Sequence, residues 1–409
     1  MKHYDVIVIG GGAAGFFGAI KIAEEHPDTR ILVCEKGKRP LEKVRISGGG
    51  RCNVTHACFE PRPLTKHYPR GERELLGPFH SFMTGDMMGW LSERGVETKI
   101  EDDGRVFPVT DSSETIINCF QAEIHRLGVE LRTECGVRSL LRRENGGWEM
   151  ATTHGEFSCE AVFFATGSSK QSWKLLADLG CELVHPVPSL FTFNCKDEVI
   201  RDKMGLSVPL AEVQIPELKL KSDGPLLITH WGLSGPAILR LSAWGARELN
   251  DVQYKFTLHI NWTADARDVV EEWLREQRED NAKMKVANTP YPDIPRRLWE
   301  SMVRASALQG NWADQSNKHL EKLASLLTDH RIQVNGKSTF KDEFVTAGGV
   351  DLKEVNFKTL EHKTLKGLYL AGEVLNIDAI TGGFNFQSAW TTAWLAGQAI
   401  AEQLETQLS

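Results

Sequence analysis

The chain of 409 residues lacks an excess of positive charge: 48 lysines and arginines face 55 aspartates and glutamates, for a net charge of -7. That balance argues against a general nucleic-acid binder, which needs a basic surface to displace counterions. It leaves room for a local basic pocket. A disulfide framework is also missing. Eight cysteines, at 34, 52, 58, 119, 135, 159, 181 and 195, are few for this length, and no two have the C-x-x-C spacing of a zinc or thioredoxin-like site. They read as mostly buried thiols of a reducing compartment, with no metal implied. Internal repeats and low-complexity segments are absent. So is a targeting segment: the uncharged residues 6–20 are too short to span a bilayer, and their central glycines do not suit a signal sequence. The expectation is a cytoplasmic protein with no membrane contact and no obligate protein partner.

What is present begins with a strand, a turn and a helix. Residues 4–9 (YDVIVI) are the β-branched run of a buried parallel strand, and 13–25 read as a helix with small residues toward the sheet. Residues 30–35 (RILVCE) are a second apolar run ending in an acid, completing a βαβ unit. The glycine-rich 44–53 is predicted to be irregular. Helices are expected over 86–95 and 112–127, the second capped at Asp111 or Ser112 with Glu114 in its first turn. A hairpin turning at Asp-Gly is expected over 96–109, with strands over 129–141, 148–153 and 161–167.

Residues 189–262 look strand-like, and 203–220 alternates like half-exposed antiparallel strands. Helices follow at 265–279, 295–307 and 317–327, with Trp273, Trp299 and Trp312 as core residues. Strand character returns over 331–346 and 368–373, and 385–404 is a last amphipathic helix. The fold class expected is α/β. A discontinuous α/β domain would be built from both termini (1–188 and 344–409). Into it would be inserted a β-rich domain (189–263 and 329–343) and a small helical part (264–328).

The chemistry-bearing motif is Gly10-x-Gly12-x-x-Gly15 between strand and helix. Gly10 permits the tight turn, Gly12 lets a pyrophosphate approach the backbone, and Gly15 allows close helix–strand packing. The helix N-terminus offers amides and partial positive charge to phosphates. Glu35 ends the next strand 20 residues after Gly15, where a carboxylate meets the ribose 2′-OH of an adenosine. FAD and NAD both fit this fingerprint. Ala165-Thr166-Gly167 ends one later strand and Gly372-Glu373 another, and a site drawn from both ends of the chain suits the longer FAD.

Six segments then carry a resemblance: 44–55 (VRISGGGRCNVT), 104–109 (GRVFPV), 165–167 (ATG), 229–239 (THWGLSGPAIL), 345–355 (VTAGGVDLKEV) and 367–397. Together they resemble the bacterial FAD-dependent oxidoreductase family that includes aminoacetone oxidase and a flavoprotein linked to bile-acid dehydroxylation. Most members are known only as NAD(P)/FAD-dependent oxidoreductases. The resemblance runs from residue 5 to 397 and implies a two-part Rossmann-like FAD domain, an inserted β-barrel and a helical domain. It implies that Gly10, Gly12, Ala13, Ala14 and Gly15 line the pyrophosphate, Glu35 and Lys36 the adenosine ribose, and the Val137 backbone the adenine. It also implies that Gly48, Gly49, Arg51, Cys52 and Asn53 run along the flavin and ribityl chain. Ala165, Thr166, Gly167, Gly372 and Glu373 would close on the cofactor. Gly383, Asn385 and Phe386 would put backbone amides at the pyrimidine end, where negative charge develops on reduction. One departure stands out: many relatives have a longer glycine-rich loop after the ATG strand, whereas here 168–173 (SSKQSW) leads straight into a helix.

The catalytic residue is not identified by the sequence, and three candidates are weighed. Cys52 and Cys58 suggest the pair of flavin disulfide reductases. They are separated by five residues rather than four, and there is no second dinucleotide motif and no late His-Glu dyad. Cys52 therefore reads as a small residue packed beside the flavin. His230 could act as an acid near flavin N5 or anchor a loop by hydrogen bonding. Arg105 could bind an anionic substrate or pair with Asp102 or Asp103. The function expected is hydride or electron transfer through FAD to or from a small organic substrate, with NAD(P)H or O₂ as partner. The alternatives are a disulfide reductase, an FAD-binding RNA-modifying protein and a redox sensor.

Overall fold

The computed structural model describes residues 1–144, 146–338 and 345–408. Two compact units are present: Met1–Pro186 with Val345–Ser409, and Val187–Phe344. In the first, strand β1 (Lys2–Ile9) lies between β2 (Ile31–Cys34) and the strand Gly155–Phe164, all three parallel. Val6 sits opposite Ile31 on one side and Ala161 on the other, and Val8 opposite Val33 and Phe163. Glu130–Arg132 extends the parallel sheet beyond β2, and Leu368–Leu370 extends it beyond Gly155–Phe164. The apolar middle of β1 is buried to 0% exposure, as in strands covered on both faces.

The chain leaves β1 to one side for β2 and Glu130–Arg132, then returns on the other side as Gly155–Phe164. Strand order therefore reverses at β1, and open parallel sheets bind ligands at the carboxyl ends of strands at such a reversal. Helix α1 (Ala13–Glu25) has the bounds its small-residue pattern predicts. Gly18 and Gly397 let it lie close to its neighbours. A Cβ on Gly18 would fall 2.2 Å from the Phe163 ring, and one on Gly397 would fall 2.9 Å from Lys21 Cβ across to the C-terminal helix Phe384–Leu408.

Three expectations differ from the structure. The single strand over 129–141 is two strands: Glu130–Arg132 pairs in parallel with β2, while Val137–Arg142 forms an antiparallel pair with Trp148–Thr152. The break falls where Glu134 takes a left-handed φ of 55°. The glycine-rich stretch expected to be irregular carries a helix, Glu42–Gly50, but this loses helical geometry at Ser47, Gly48 and Gly49. The strand-like 189–262 contains two helices, Pro236–Trp244 and Ala246–Asp251. Pro236 occupies the first helical position, where its missing N–H costs nothing, and Ala237, Ile238 and Leu241 form the buried face.

In the second unit six antiparallel strands close a barrel. Their order is Thr192–Cys195, Gly232–Ser234, Leu220–Ile228, Ser207–Ile215, Lys255–Asn261 and His330–Ser338. Its helices share one hydrophobic core with the barrel, joining Val270, Leu298 and Trp299 to Ile260, Trp262 and Val334. The buried indoles are satisfied: Trp299 donates to the Val286 carbonyl at 2.8 Å, and Trp312 donates to Thr289 Oγ1 at 2.6 Å. The strand expected over 331–346 falls partly outside the described residues. No described helix is long and apolar enough to cross a membrane.

Candidate functional site

The carboxyl ends of β1, β2 and Gly155–Phe164 open into a groove. It is lined by Gly10, Cys34, Glu35, Lys36, Cys135, Val137 and Thr166 among others. Gly10, at the start of the glycine turn, stands in one wall. Gly10 has φ 110°, and a Cβ there would lie 2.4 Å from the Ala165 carbonyl oxygen. A Cβ on Gly15 would lie 1.9 Å from the Gly10 carbonyl oxygen. Both glycines are demanded by the fold itself.

Gly12 is different. Its backbone is extended, at φ -91° and ψ -168°, and a Cβ there would meet nothing within 4 Å. The packing of the protein itself does not require glycine at this point. Gly12 is the N-cap of α1 and makes no side-chain cap hydrogen bond, so first-turn amides around Ala13, Ala14 and Gly15 face that open space.

Glu35 is held by two backbone amides: Gly11 N–H donates to Oε2 at 2.8 Å and Gly37 N–H to Oε1 at 2.5 Å. Each oxygen keeps a lone pair for a hydroxyl. Lys36 donates to Ser169 Oγ at 3.1 Å, and the Val137 carbonyl accepts from Gln171 Nε2 at 3.3 Å. Thr166 Oγ1 is buried with no hydrogen-bond partner among the described residues, an orphaned polar atom that an external polar group would satisfy. Gly167 has φ 60°, and a Cβ there would stand 3.6 Å from Glu373 Oε2. Glu373 accepts from the Thr346 amide at 3.1 Å and pairs with Lys43, which also reaches Ser168 Oγ at 3.1 Å. Gly372 donates its amide to Thr392 Oγ1 at 3.0 Å. Lys43 escaped the sequence reading because it belongs to no motif.

The other predicted residues gather around the loop after Ser47. Gly48 takes φ 57°, and its Cβ would meet the Phe107 ring at 2.9 Å. Gly49 would meet nothing within 4 Å. Arg51 lies over the Phe107 ring at 3.9 Å and pairs with Glu101 at 2.6 Å. With its amide turned to suit its neighbours, Asn53 accepts from the Gly383 N–H at 2.9 Å and donates to the Thr55 carbonyl at 2.9 Å. Asn385 exchanges two hydrogen bonds with the Ala379 backbone, at 3.0 and 3.1 Å. Phe386 stacks on Trp390 with centroids 5.5 Å apart. Tyr68 donates to the Phe384 carbonyl at 2.6 Å.

Two histidines that no motif marked also meet here. His56 and His67 both stack on Phe384, with centroids 4.5 and 4.1 Å away, at the start of the C-terminal helix. Only the fold could find them, because His67 and Phe384 are more than 300 residues apart.

The three catalytic candidates fare differently. Cys52 is fully buried with a left-handed φ of 61°, and burial pushes its thiol up to about 12. Cys58 is a half-buried free thiol, raised chiefly by burial, so neither favours the thiolate a disulfide reductase needs. Arg105 pairs with Asp103 at 2.7 Å and Glu101 at 3.0 Å, the structural alternative named above. His230 is exposed on the loop between barrel strands Leu220–Ile228 and Gly232–Ser234.

Among the described residues, Cys181, Glu354 and His362 have their ligand atoms within 4.8 Å of one another. His362 Nδ1 accepts the Thr364 and Leu365 amides at 3.3 and 3.1 Å, so its proton sits on Nε2, facing Glu354 Oε2 at 3.3 Å. That imidazole is committed to hydrogen bonding.

A glycine turn and paired carboxylate at the point where a parallel sheet reverses define a Rossmann-type dinucleotide binder. The model described as HI0933-like protein Rossmann domain matches residues 4–399, and the chain belongs to that family of FAD-binding, flavin-dependent oxidoreductases. It is 30% identical over 413 residues to ribosomal RNA dihydrouridine synthase of Escherichia coli (strain K12), covering 97% of this chain and 98% of that one. It is 26% identical over 417 residues to 3-dehydro-bile acid delta(4,6)-reductase of Clostridium scindens, covering 97% and 98%. Among solved structures it superposes on 3-ketosteroid-delta4-(5alpha)-dehydrogenase of Rhodococcus jostii RHA1 with a TM-score of 0.55 and 13% identity, covering 98% and 97%, a likeness of fold.

Proposed function

We propose that the protein reduces a carbon–carbon double bond conjugated to a carbonyl, using FAD bound in the groove. The observation that carries the cofactor assignment is Gly12, whose open backbone calls for an external group. The relatives support the substrate class. Making dihydrouridine saturates the uridine double bond conjugated to a ring carbonyl, and a 3-dehydro-bile acid delta(4,6)-reductase acts on double bonds conjugated to a 3-oxo group. FAD supplies a two-electron hydride exchange when bound.

The chain's own residues hold and orient. Gly10, Gly12, Ala13, Ala14 and Gly15 present amides to the pyrophosphate. Glu35 and Lys36 take the adenosine ribose, Val137 the adenine, and Thr166 offers its unused hydroxyl. Lys43 and Glu373 flank the pyrophosphate side. Gly383, Asn385 and Phe386 open a helix whose N-terminal amides stabilise charge at the pyrimidine end. His56 or His67 would deliver the proton that completes reduction of the double bond. NAD(P)H is the proposed source of electrons. O₂ competes with the conjugated substrate as acceptor.

A second reading makes the substrate a uridine of ribosomal RNA, favoured by the 30% identity that covers almost all of both chains. The net charge of -7 favours a small molecule. One experiment separates these. The FAD-loaded protein is reduced anaerobically with NADH or NADPH. It is then mixed with 2-cyclohexenone, a 3-oxo-Δ4 steroid or unmodified ribosomal RNA, and flavin absorbance and product mass are followed. Reoxidation with a product two mass units heavier identifies the acceptor. A flavin that stays reduced with all three and reoxidises only in O₂ rejects the proposal in favour of an oxidase.

A further inference from the structure

Two cysteines not assigned any role meet under the adenosine half of the groove. Cys34 closes β2, and Cys135 lies in the break between Glu130–Arg132 and Val137–Arg142. Their sulfurs share a hydrogen bond at 3.6 Å, both are free thiols, and they are only 2% and 1% exposed. What exposure they have is into the groove, which both help to line. We propose that Cys34 and Cys135 are a redox-active dithiol that a peroxide oxidises to a disulfide when the groove is empty, and that this disulfide weakens FAD binding. The proposal rests on the groove taking the adenosine of FAD.

The two thiols are not equivalent. The hydrogen bond with Cys34 holds Cys135 below the ordinary thiol range, with smaller help from Thr152, His154 and Arg132. Cys34 is pushed up by the same shared proton and by burial. The other charged group acting on Cys34 is Arg132, which lowers it, while the Cys159 thiol raises it. Cys135, which lies in the break between two strands rather than in the central sheet, is taken as the attacking thiolate. It displaces hydroxide from hydrogen peroxide to form a sulfenic acid. The Cys34 sulfur then attacks that sulfur, the S–S bond forms, and water leaves. In sum, two thiols and one hydrogen peroxide give one disulfide and two waters.

The mechanical consequence follows from the backbone. A disulfide needs sulfurs at about 2.05 Å, so they must approach by about 1.5 Å. Cys34 is fixed in the central sheet, and the movable partner is 133–136. That segment is tied to the ribose-binding turn: Cys135 N–H donates to the Glu35 carbonyl at 2.8 Å and Glu134 N–H to the Gly37 carbonyl at 2.9 Å. Gly136 N–H donates to Thr153 Oγ1 at 3.0 Å. Drawing Cys135 inward pulls on Glu35 and on Val137 together. Bound adenosine covers the same sulfurs, so cofactor and peroxide exclude one another.

The test uses the full chain stripped of flavin. Peroxide is added at stoichiometric and tenfold levels, remaining thiols are alkylated, and tryptic peptides are mapped by mass spectrometry. Cys34 and Cys135 fall in separate peptides, 31–36 and 133–138, each with a single cysteine. Expected are a linked pair in the flavin-free protein, protection when FAD is bound first, and an FAD affinity about tenfold weaker after oxidation, restored by dithiothreitol. In C135S, and independently in C34A should C135S misfold, peroxide no longer changes FAD affinity. No linked pair, a pair that forms as fast with FAD bound, or a pair that leaves FAD affinity unchanged would each overturn the proposal. Failure of the untreated protein to bind FAD would overturn the groove assignment instead, and peptide mapping reads disulfide formation independently of it.

Discussion

The two ends of the proposed cofactor site are built in different ways. The adenosine end is assembled from residues close in sequence: Gly10, Gly12, Gly15 and Glu35 come from one βαβ unit, with Thr166 added by the adjacent strand. The other end is stitched from 47–56, 98–108 and 379–390. It is closed by bonds spanning more than 300 residues, such as Thr55 to Gln387 at 2.6 Å and Trp390 to the Val54 carbonyl at 3.0 Å. A local unit folds its site with its backbone and is pre-organised. A site of long-range bonds depends on the whole unit being formed, and it leaves room for side chains that vary the chemistry.

Breaking the local end at its tightest point should have the largest effect. Gly10→Val places atoms inside the Ala165 carbonyl and forces a β-branched residue to φ 110°. The expected cost is roughly 3 kcal/mol or more, seen as a lower Tm together with loss of flavin after purification. Gly12→Val sharpens the comparison, because its Cβ meets open space. The flavin-free variant should unfold within about 0.5 kcal/mol of the parent, while its FAD affinity, measured by flavin fluorescence, falls about a hundredfold. A Tm loss equal to that of Gly10→Val would show that Gly12 serves the fold after all.

At the long-range end, His67→Gln and His56→Gln should each lower anaerobic turnover about tenfold, the remaining imidazole substituting in part. FAD affinity should hold, so that the loss falls on turnover alone. Unchanged turnover in both variants would remove these histidines from the proton transfer.

The smallest expected effect lies at the edge of the adenosine end. Burial alone would raise the Glu130 carboxyl, but hydrogen bonds from Lys2, Tyr4 and Arg132 outweigh it and hold it at about 2. A carboxylate depressed on folding contributes stability above its unfolded value near 4.5, and that stability fades as pH falls toward 2. Glu130 is partly exposed, so the loss should be below about 1 kcal/mol. Glu130→Gln should flatten that part of the acid limb of a Tm–pH curve.

What could be read from the chain follows the same division. The bounds of α1, the position of Glu35 just after β2 and the Ser112 cap, which accepts the Glu114 amide at 3.3 Å, all follow from neighbours within a few turns. The helix Pro236–Trp244 was legible in principle, since Pro at its first position and the 3.6-residue spacing of Ala237, Ile238 and Leu241 are local signals. Short flanking strands masked it. The split at Glu134 was hidden because the two strands differ only in which partner they pair with. His56, His67 and the Cys34–Cys135 contact had no signature at all, being products of tertiary juxtaposition. The cysteines that spacing did suggest, Cys52 and Cys58, have thiols that burial pushes up.

The most direct test of an adenosine end that does most of the holding is a titration of the flavin-free protein with FAD, FMN and ADP. Expected is an FMN affinity at least about a hundredfold weaker than that of FAD, with ADP displacing FAD competitively. FMN binding as tight as FAD, with ADP unable to compete, would contradict it.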